Sequence, residues 1–178
     1  HVNHELRAQS AEEEQFIRQY CRQHDLLLKV AHWPKKTHPT TGTEEAGRQF
    51  RYAFFAQMMQ TLGIKTLVTA HHQNDLAETI LMKLVRGGQL SQLVGIADRR
   101  SFAGGQLVRP LLPFKKRELY DYARNRRLKW YEDVSNQDLT IERNRFRHRI
   151  IPELTKENSQ FLDHLTAYRD QLQDLLAW

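Results

Sequence analysis

The sequence predicts an α/β fold: a parallel sheet with helices on both faces, followed by a helical extension at the C-terminal end. Three observations predict it. Short apolar runs alternate with longer segments of helical period, one such run passes through a brief polar turn straight into a helical pattern, and the last stretch is amphipathic throughout. Repeated β–α alternation of this kind favours parallel strands covered by helices. A chain of 178 residues, 40% of them hydrophobic, buries one sizeable core and is short for two ordinary domains. The expected division is a main domain over 1–152 and a helical linker, or the start of a further domain, over 153–178.

His1–His4 reads as the tail of a strand. Ser10 and Glu13 form a capping box for a helix whose apolar stripe is Phe16, Ile17, Tyr20 and Cys21. Leu26–Ala31 reads as a buried strand and His32–Gly42, with Pro34 and Pro39, as a loop. Thr43 then caps a helix with Glu44 and Glu45 in its first turn, Phe50, Phe54, Met58 and Leu62 along one face, and Gly63 as its stop. After the strand Ile64–Ala70, apolar residues from Ala77 through Ile80, Leu81, Leu84 and Val85 share one helix face, which Gly87 and Gly88 end. A less distinct unit follows, with Gln106–Leu112 as strand, Lys115–Asn125 as helix and Leu128–Trp130 as a short strand. Glu157–Leu176 is an amphipathic helix with Phe161, Leu162, Leu165, Leu172, Leu175 and Leu176 on one side. That face needs cover from the sheet domain, from a second copy of the chain in a homodimer, or from a further domain.

Charge is unevenly placed. The formal net charge is +6, yet residues 99–150 alone carry 14 Lys/Arg against 6 Asp/Glu. Such a basic stretch is either a solvated surface or the footprint of a polyanionic partner. The single Cys21 excludes an internal disulfide and CxxC metal or iron–sulfur sites. With no hydrophobic signal segment and no apolar run of membrane length, a soluble, cytoplasmic protein is expected.

The stretch Thr69–Gly88 is the densest in chemistry. Asp75 and Glu78 have the spacing of a capping box, with Asp75 as N-cap and Glu78 at the third helical position. His71 and His72 read as ordinary strand-end residues, because no HExxH spacing accompanies them. Their location adds a second meaning. Open parallel sheets bind ligands at the carboxyl ends of strands, and a helix N-terminus there offers N–H groups and a positive dipole end to anions. The second constellation is Ile141–Leu154, where Arg143 and Arg147 stack at helical spacing and Phe146 and Ile150 form a separate apolar row. It reads as a solvated amphipathic helix or as a phosphate-binding face. Glu132–Asn136, dense in side chains that bond to backbone, reads as a turn.

Together, "HVNHELR" (His1–Arg7), "GTEEAGRQFRY" (Gly42–Tyr52), "TAHHQNDLAETILMKLVRG" (Thr69–Gly87), "VRPLL" (Val108–Leu112), "WYEDVSN" (Trp130–Asn136) and "ERNRFRHRIIPEL" (Glu142–Leu154) resemble, in order and approximate spacing, the tRNA(Ile)-lysidine synthetase family of PP-loop ATP pyrophosphatases. The resemblance runs from residue 1 to about residue 154. It implies a Rossmann-like, adenine nucleotide α-hydrolase-like fold. It also implies ATP with Mg²⁺ as cofactors, tRNA(Ile) and lysine as partners, and no membrane partner. The implied reaction is adenylation of the C2 oxygen of the wobble cytidine in a CAU anticodon, followed by displacement of AMP by the lysine amino group. By the same resemblance Asp75 and Glu78 bind lysine, and His71 serves ATP or proton transfer. Arg51 and Arg143 stabilise phosphate charge or the adenylated base. Asn3, His4 and Arg7, with His71, fall at nucleotide-binding positions, and Arg86, Asn144, Arg145 and Arg147 face the tRNA. No metal-ligating residue is assigned.

The chain also departs from the family pattern. The SGGxDS phosphate loop is expected upstream of His1, so this polypeptide alone is expected to be inactive or to be part of a longer protein. The usual DDQ is here Asn74-Asp75-Leu76, which leaves Asp75 and Glu78 as the carboxylates of the motif, and Gln89 and Gln92 stand where the family has glycines. Two other readings remain. A related PP-loop enzyme, such as a tRNA thiolase, would need catalytic cysteines, against which the single Cys21 speaks. A non-enzymatic basic RNA-binding module is the alternative from another class.

Overall fold

The computed structural model describes residues 1–5 and 9–176. The elements alternate as the sequence predicts as far as α3: β1 (Val2–Asn3), α1 (Ser10–Gln23), β2 (Ala31–His32), α2 (Thr43–Thr61), β3 (Thr66–Val68) and α3 (Gln73–Val85); α4 (Leu90–Leu93) and β4 (Arg99–Phe102), which the sequence does not predict, then precede β5 (Gly105–Val108) and α5 (Lys116–Asn125). Then come α6 (Glu142–Arg145), a π-helical turn over Phe146–Ile150, α7 (Ile151–Glu157) and α8 (Phe161–Leu176). β1 and β2 pair in parallel, Val2 opposite Ala31 and Asn3 opposite His32. β3, β5 and β4 form a three-stranded sheet in that order. The chain divides into two compact units, residues 1–67 with 102–105 and residues 68–101 with 106–178. The expected extension over 153–178 thus falls inside the second unit.

In the first unit the core gathers on Trp33 and Met59. The Trp33 ring stacks on Phe50 at 5.8 Å, takes the edge of His4 at 5.6 Å and meets His38 at 4.1 Å. Gly47 makes this possible, since a Cβ there would lie 2.9 Å from the indole. Several expected details shift. Ser10 is already inside α1, one residue too late to cap it, and Gln9 is the N-cap. Gly42, at φ 68°, precedes Thr43, whose hydroxyl bonds back to the Pro39 carbonyl instead of capping. Leu26–Ala31 is not a buried strand: pairing is confined to Ala31–His32, and Leu27 is 74% exposed.

In the second unit α3 carries the core. Leu76, Ile80 and Leu112 pack together with Ile96 and Leu165, and Ala77, Ile151 and Leu162 pack with Leu81 and Phe161. Of the face read from Ala77 onward, Ala77, Ile80 and Leu81 pack in these clusters, whereas Leu84 and Val85 are exposed. Gly95 sits so close to this helix that a Cβ would come within 2.8 Å of Ile80. Gln73, buried at the start of α3, donates to the Leu162 carbonyl, Asp163 and the Thr166 hydroxyl of α8. The apolar face of the extension is thus covered over Leu162 and Leu165, whereas Leu175 stays exposed. The single helix expected over Glu157–Leu176 is broken between Glu157 and Phe161, and Leu128–Trp130 is not a strand.

Candidate active site

The turn between β3 and α3 builds the site. His72 is the N-cap of α3: its backbone N–H donates to Asp75 Oδ2 at 3.0 Å and its Nδ1 accepts from the Asp75 N–H at 3.4 Å. The capping box expected between Asp75 and Glu78 is therefore present but displaced by one turn, as His72 with Asp75. Burial pushes the His72 imidazole below its ordinary pKa despite Asp75 and Glu78 nearby, which favours the neutral ring that accepting requires. His71 takes no part in the cap, and its Nδ1 lies 2.9 Å from the Thr69 hydroxyl.

Freed from capping, Glu78 takes another role. It is 0% exposed, and both its oxygens are taken by guanidinium groups. Arg147 binds it through Nε at 2.7 Å and Nη2 at 3.0 Å, while Arg143 donates Nε at 2.6 Å. Both arginines also approach Asp75 Oδ1, at 3.5 and 3.6 Å. Burial disfavours the Arg147 charge, but the hydrogen bonds and attraction of Glu78, then Asp75, outweigh it and raise its pKa. Two carboxylates and two guanidiniums thus neutralise one another around the start of α3, as buried charges must. Only Asp75 Oδ1 among the four carboxylate oxygens lacks a hydrogen bond to a described residue. The resemblance gives Glu78 a direct role in lysine binding; in this arrangement both its oxygens are held by the two arginines.

Several donors of the basic helix also bond within the chain, while Arg149 is exposed. Arg147 Nη1 donates to Asn136 Oδ1, and His148 meets the Asn136 carbonyl. Buried Asn144 donates to the Ser135 and Asp138 carbonyls, and Arg145 to those of Leu139 and Thr140. These bonds satisfy the backbone of the loop before α6. The resemblance turns Asn144, Arg145 and Arg147 toward RNA; here the Asn144 amide, the Arg147 nitrogens and one Arg145 nitrogen bond within the chain. Arg86 is exposed and pairs with Glu142.

Asn3, His4 and Arg51 belong to the first unit, whereas His71, Asp75, Glu78 and Arg143 belong to the second; Arg7 lies outside the described residues. Asn3 is buried and donates to Glu14 Oε2 at 2.8 Å and to the Ser10 carbonyl at 3.3 Å. Glu14 also receives Arg18 at 2.8 Å and has His32 at 3.3 Å, and these residues line a cavity of about 500 Å³. Sequence reasoning missed Glu14, Arg18 and His32; the Glu14–Arg18 spacing of one helical turn was the available signal. Arg51 is exposed on α2.

A parallel strand pair, strands and helices in succession and a charged cluster at a strand-to-helix turn define the open α/β class, whose ligand crevice lies at the carboxyl ends of strands. The chain belongs to the PP-loop domain family, which matches residues 1–154. It is 51% identical over 177 residues to the tRNA(Ile)-lysidine synthase of Lactiplantibacillus plantarum, covering 99% of this chain and 40% of that protein. It is 44% identical over 173 residues to the enzyme of that name from Enterococcus faecalis, covering 96% and 37%. The chain thus spans about two fifths of the length of the curated relatives it matches. Among solved structures it is similar to the U34-tRNA thiolase NcsA from Methanococcus maripaludis, with a TM-score of 0.77 at 14% identity over 97% of this chain and 60% of that one, a likeness of fold.

Proposed function

We propose that the full-length protein is a tRNA(Ile)-lysidine synthase that uses ATP. The reading is supported by the two relatives of that name, and the observation that carries it in the structure is the Asp75 oxygen that accepts no hydrogen bond from a described residue, beside two fixed guanidiniums. In the first step the C2 oxygen of the wobble cytidine attacks the α-phosphorus of ATP and pyrophosphate leaves. Arg143, held on Glu78, supplies fixed positive charge for the phosphate being transferred. In the second step the lysine ε-amine attacks C2, a C–N bond forms, and the C2–O bond breaks as AMP departs with that oxygen. Asp75 Oδ1 orients the ammonium, which must lose a proton before attack. His71 is the candidate acceptor of that proton. Mg²⁺ is expected as the counter-ion of ATP. Among the described residues no three His, Cys, Asp or Glu side chains gather to hold a metal. No helix among the described residues is long and apolar enough to cross a membrane.

The test incubates the full-length protein with CAU-anticodon tRNA(Ile), ATP, Mg²⁺ and labelled lysine, beside Asp75→Asn. Wild-type incorporation, with the lysine KM of the variant raised about tenfold or more, is the expected outcome. A wild-type protein that binds ATP yet incorporates no lysine would leave the fold reading standing and end the functional one.

A further inference from the structure

A second cavity, of about 360 Å³, lies where α5 faces the segment Trp130–Asp133, and the function above does not absorb it. Its lining combines Tyr120 and Trp130, whose ring centroids are 5.8 Å apart, with Lys116, Arg124, Glu132 and Asp133. One oxygen of Glu132 fixes both rings, accepting the Tyr120 hydroxyl at 2.6 Å and the Trp130 indole N–H at 3.2 Å. Its other oxygen has no hydrogen bond to a described residue. Trp130 is nevertheless 42% exposed. A large aromatic residue held rigid by a carboxylate and left open to solvent is prepared for a flat ligand.

The charges decide which ligand. Lys116 Nζ already occupies the face of Tyr120, 5.0 Å from the ring centre, so an ammonium ligand would meet like charge where a cation would otherwise sit. Lys116 and Arg124 instead suit a phosphate, and the open Glu132 oxygen suits the exocyclic amine of a base. The cavity also adjoins the charged cluster. The backbone N–H of Lys116 donates to Asn74 Oδ1 at 2.9 Å, at the first turn of α3.

We propose that this cavity holds one unstacked, amine-bearing nucleotide of the RNA substrate, its base against Trp130, its amine on Glu132 and its phosphate between Lys116 and Arg124. The inference rests on the lysidine synthase reading and deepens it, because it names how the anticodon loop is seated beside Asp75. Base-on-aromatic contact tolerates phenylalanine but not alanine.

The experiment measures the Kd of the full-length protein for CAU-anticodon tRNA(Ile), without ATP or lysine, for wild type, Trp130→Ala, Trp130→Phe and Glu132→Gln. Each is paired with tRNAs made abasic in turn at the cytidine and the adenosine of the anticodon. Trp130→Ala is expected to weaken binding about tenfold, Trp130→Phe to recover most of it, and the Trp130→Ala penalty to vanish with one of the two abasic tRNAs. Thermal melting of each variant separates this from misfolding, and Glu132→Gln, expected to weaken binding severalfold except to the tRNA that lacks the seated base, carries the test if Trp130→Ala fails to fold. Folded Trp130→Ala or Glu132→Gln protein that binds every tRNA as wild type does would overturn the proposal. The same pattern with another RNA, in a protein that makes no lysidine, would retain the cavity as a nucleotide site and discard the functional reading.

Discussion

Each compact unit contains one glutamate with almost no exposure, and the two are neutralised in different ways. Glu14 relies on the Asn3 amide, the half-exposed Arg18 and a histidine. Glu78 is locked between two guanidiniums that share its oxygens and reach Asp75 as well. Burial pushes the Glu14 carboxyl up, and the Asn3 and Arg18 bonds overcome that and hold it below its ordinary range. The lesson is that one residue type at similar depth serves two ends: Glu14 ties β1 to α1, whereas Glu78 sets the direction of the side chains that surround the proposed reaction.

The largest expected effect breaks that lock. Glu78→Gln leaves two partly buried guanidiniums short of a counter-charge and is expected to cost about 3 kcal/mol in urea denaturation, and to abolish lysine incorporation even where the protein stays folded. An equally stable variant would show that the arginines find other partners and that Glu78 is not their anchor.

Acid separates the two regions by pH window. His72 has a lowered pKa when folded, so the unfolded chain binds its proton first, and stability falls as pH drops below about 6.5 toward that lowered value. His72→Asn keeps a capping side chain and is expected to flatten this part of the stability profile. Glu14, also lowered, contributes stability above about pH 4.5 that is lost as pH falls further, so Glu14→Gln is expected to flatten only the more acid part. Identical profiles for both variants would remove the distinction. The smallest effect is expected at the Arg86–Glu142 pair, which is largely solvated: Arg86→Ala should cost about 0.5 kcal/mol or less, and less again at high salt.

Local periodicity made much of this legible. α2, α3 and α5 lie where the 3.6-residue spacing puts them, and Gly63 and Gly87, both at positive φ, stand just past α2 and α3. What depended on distant partners was not legible. Asp75 and Glu78 have the spacing of a cap, yet Glu78 is claimed by arginines 65 and 69 positions away, and the cap passes to a histidine, a residue seldom read as one. The apolar run Leu26–Ala31 looked like a core strand because composition reports affinity for the core rather than the presence of a neighbour. The donors of Asn144 and Arg145 face the loop before α6, which a helical wheel cannot display.

The π turn over Phe146–Ile150 has a consequence for how this protein can change over generations. Such a turn holds one residue more than an α-helix needs. Losing a single residue there would restore ordinary winding and swing Ile151 about 100° away from Ala77 and Leu162, with Arg143 upstream undisturbed. Substitutions along this helix leave its winding intact, whereas a one-codon deletion would uncouple the arginine anchor from the packing that supports it. The length of the segment is therefore tied to the seating of Ile151.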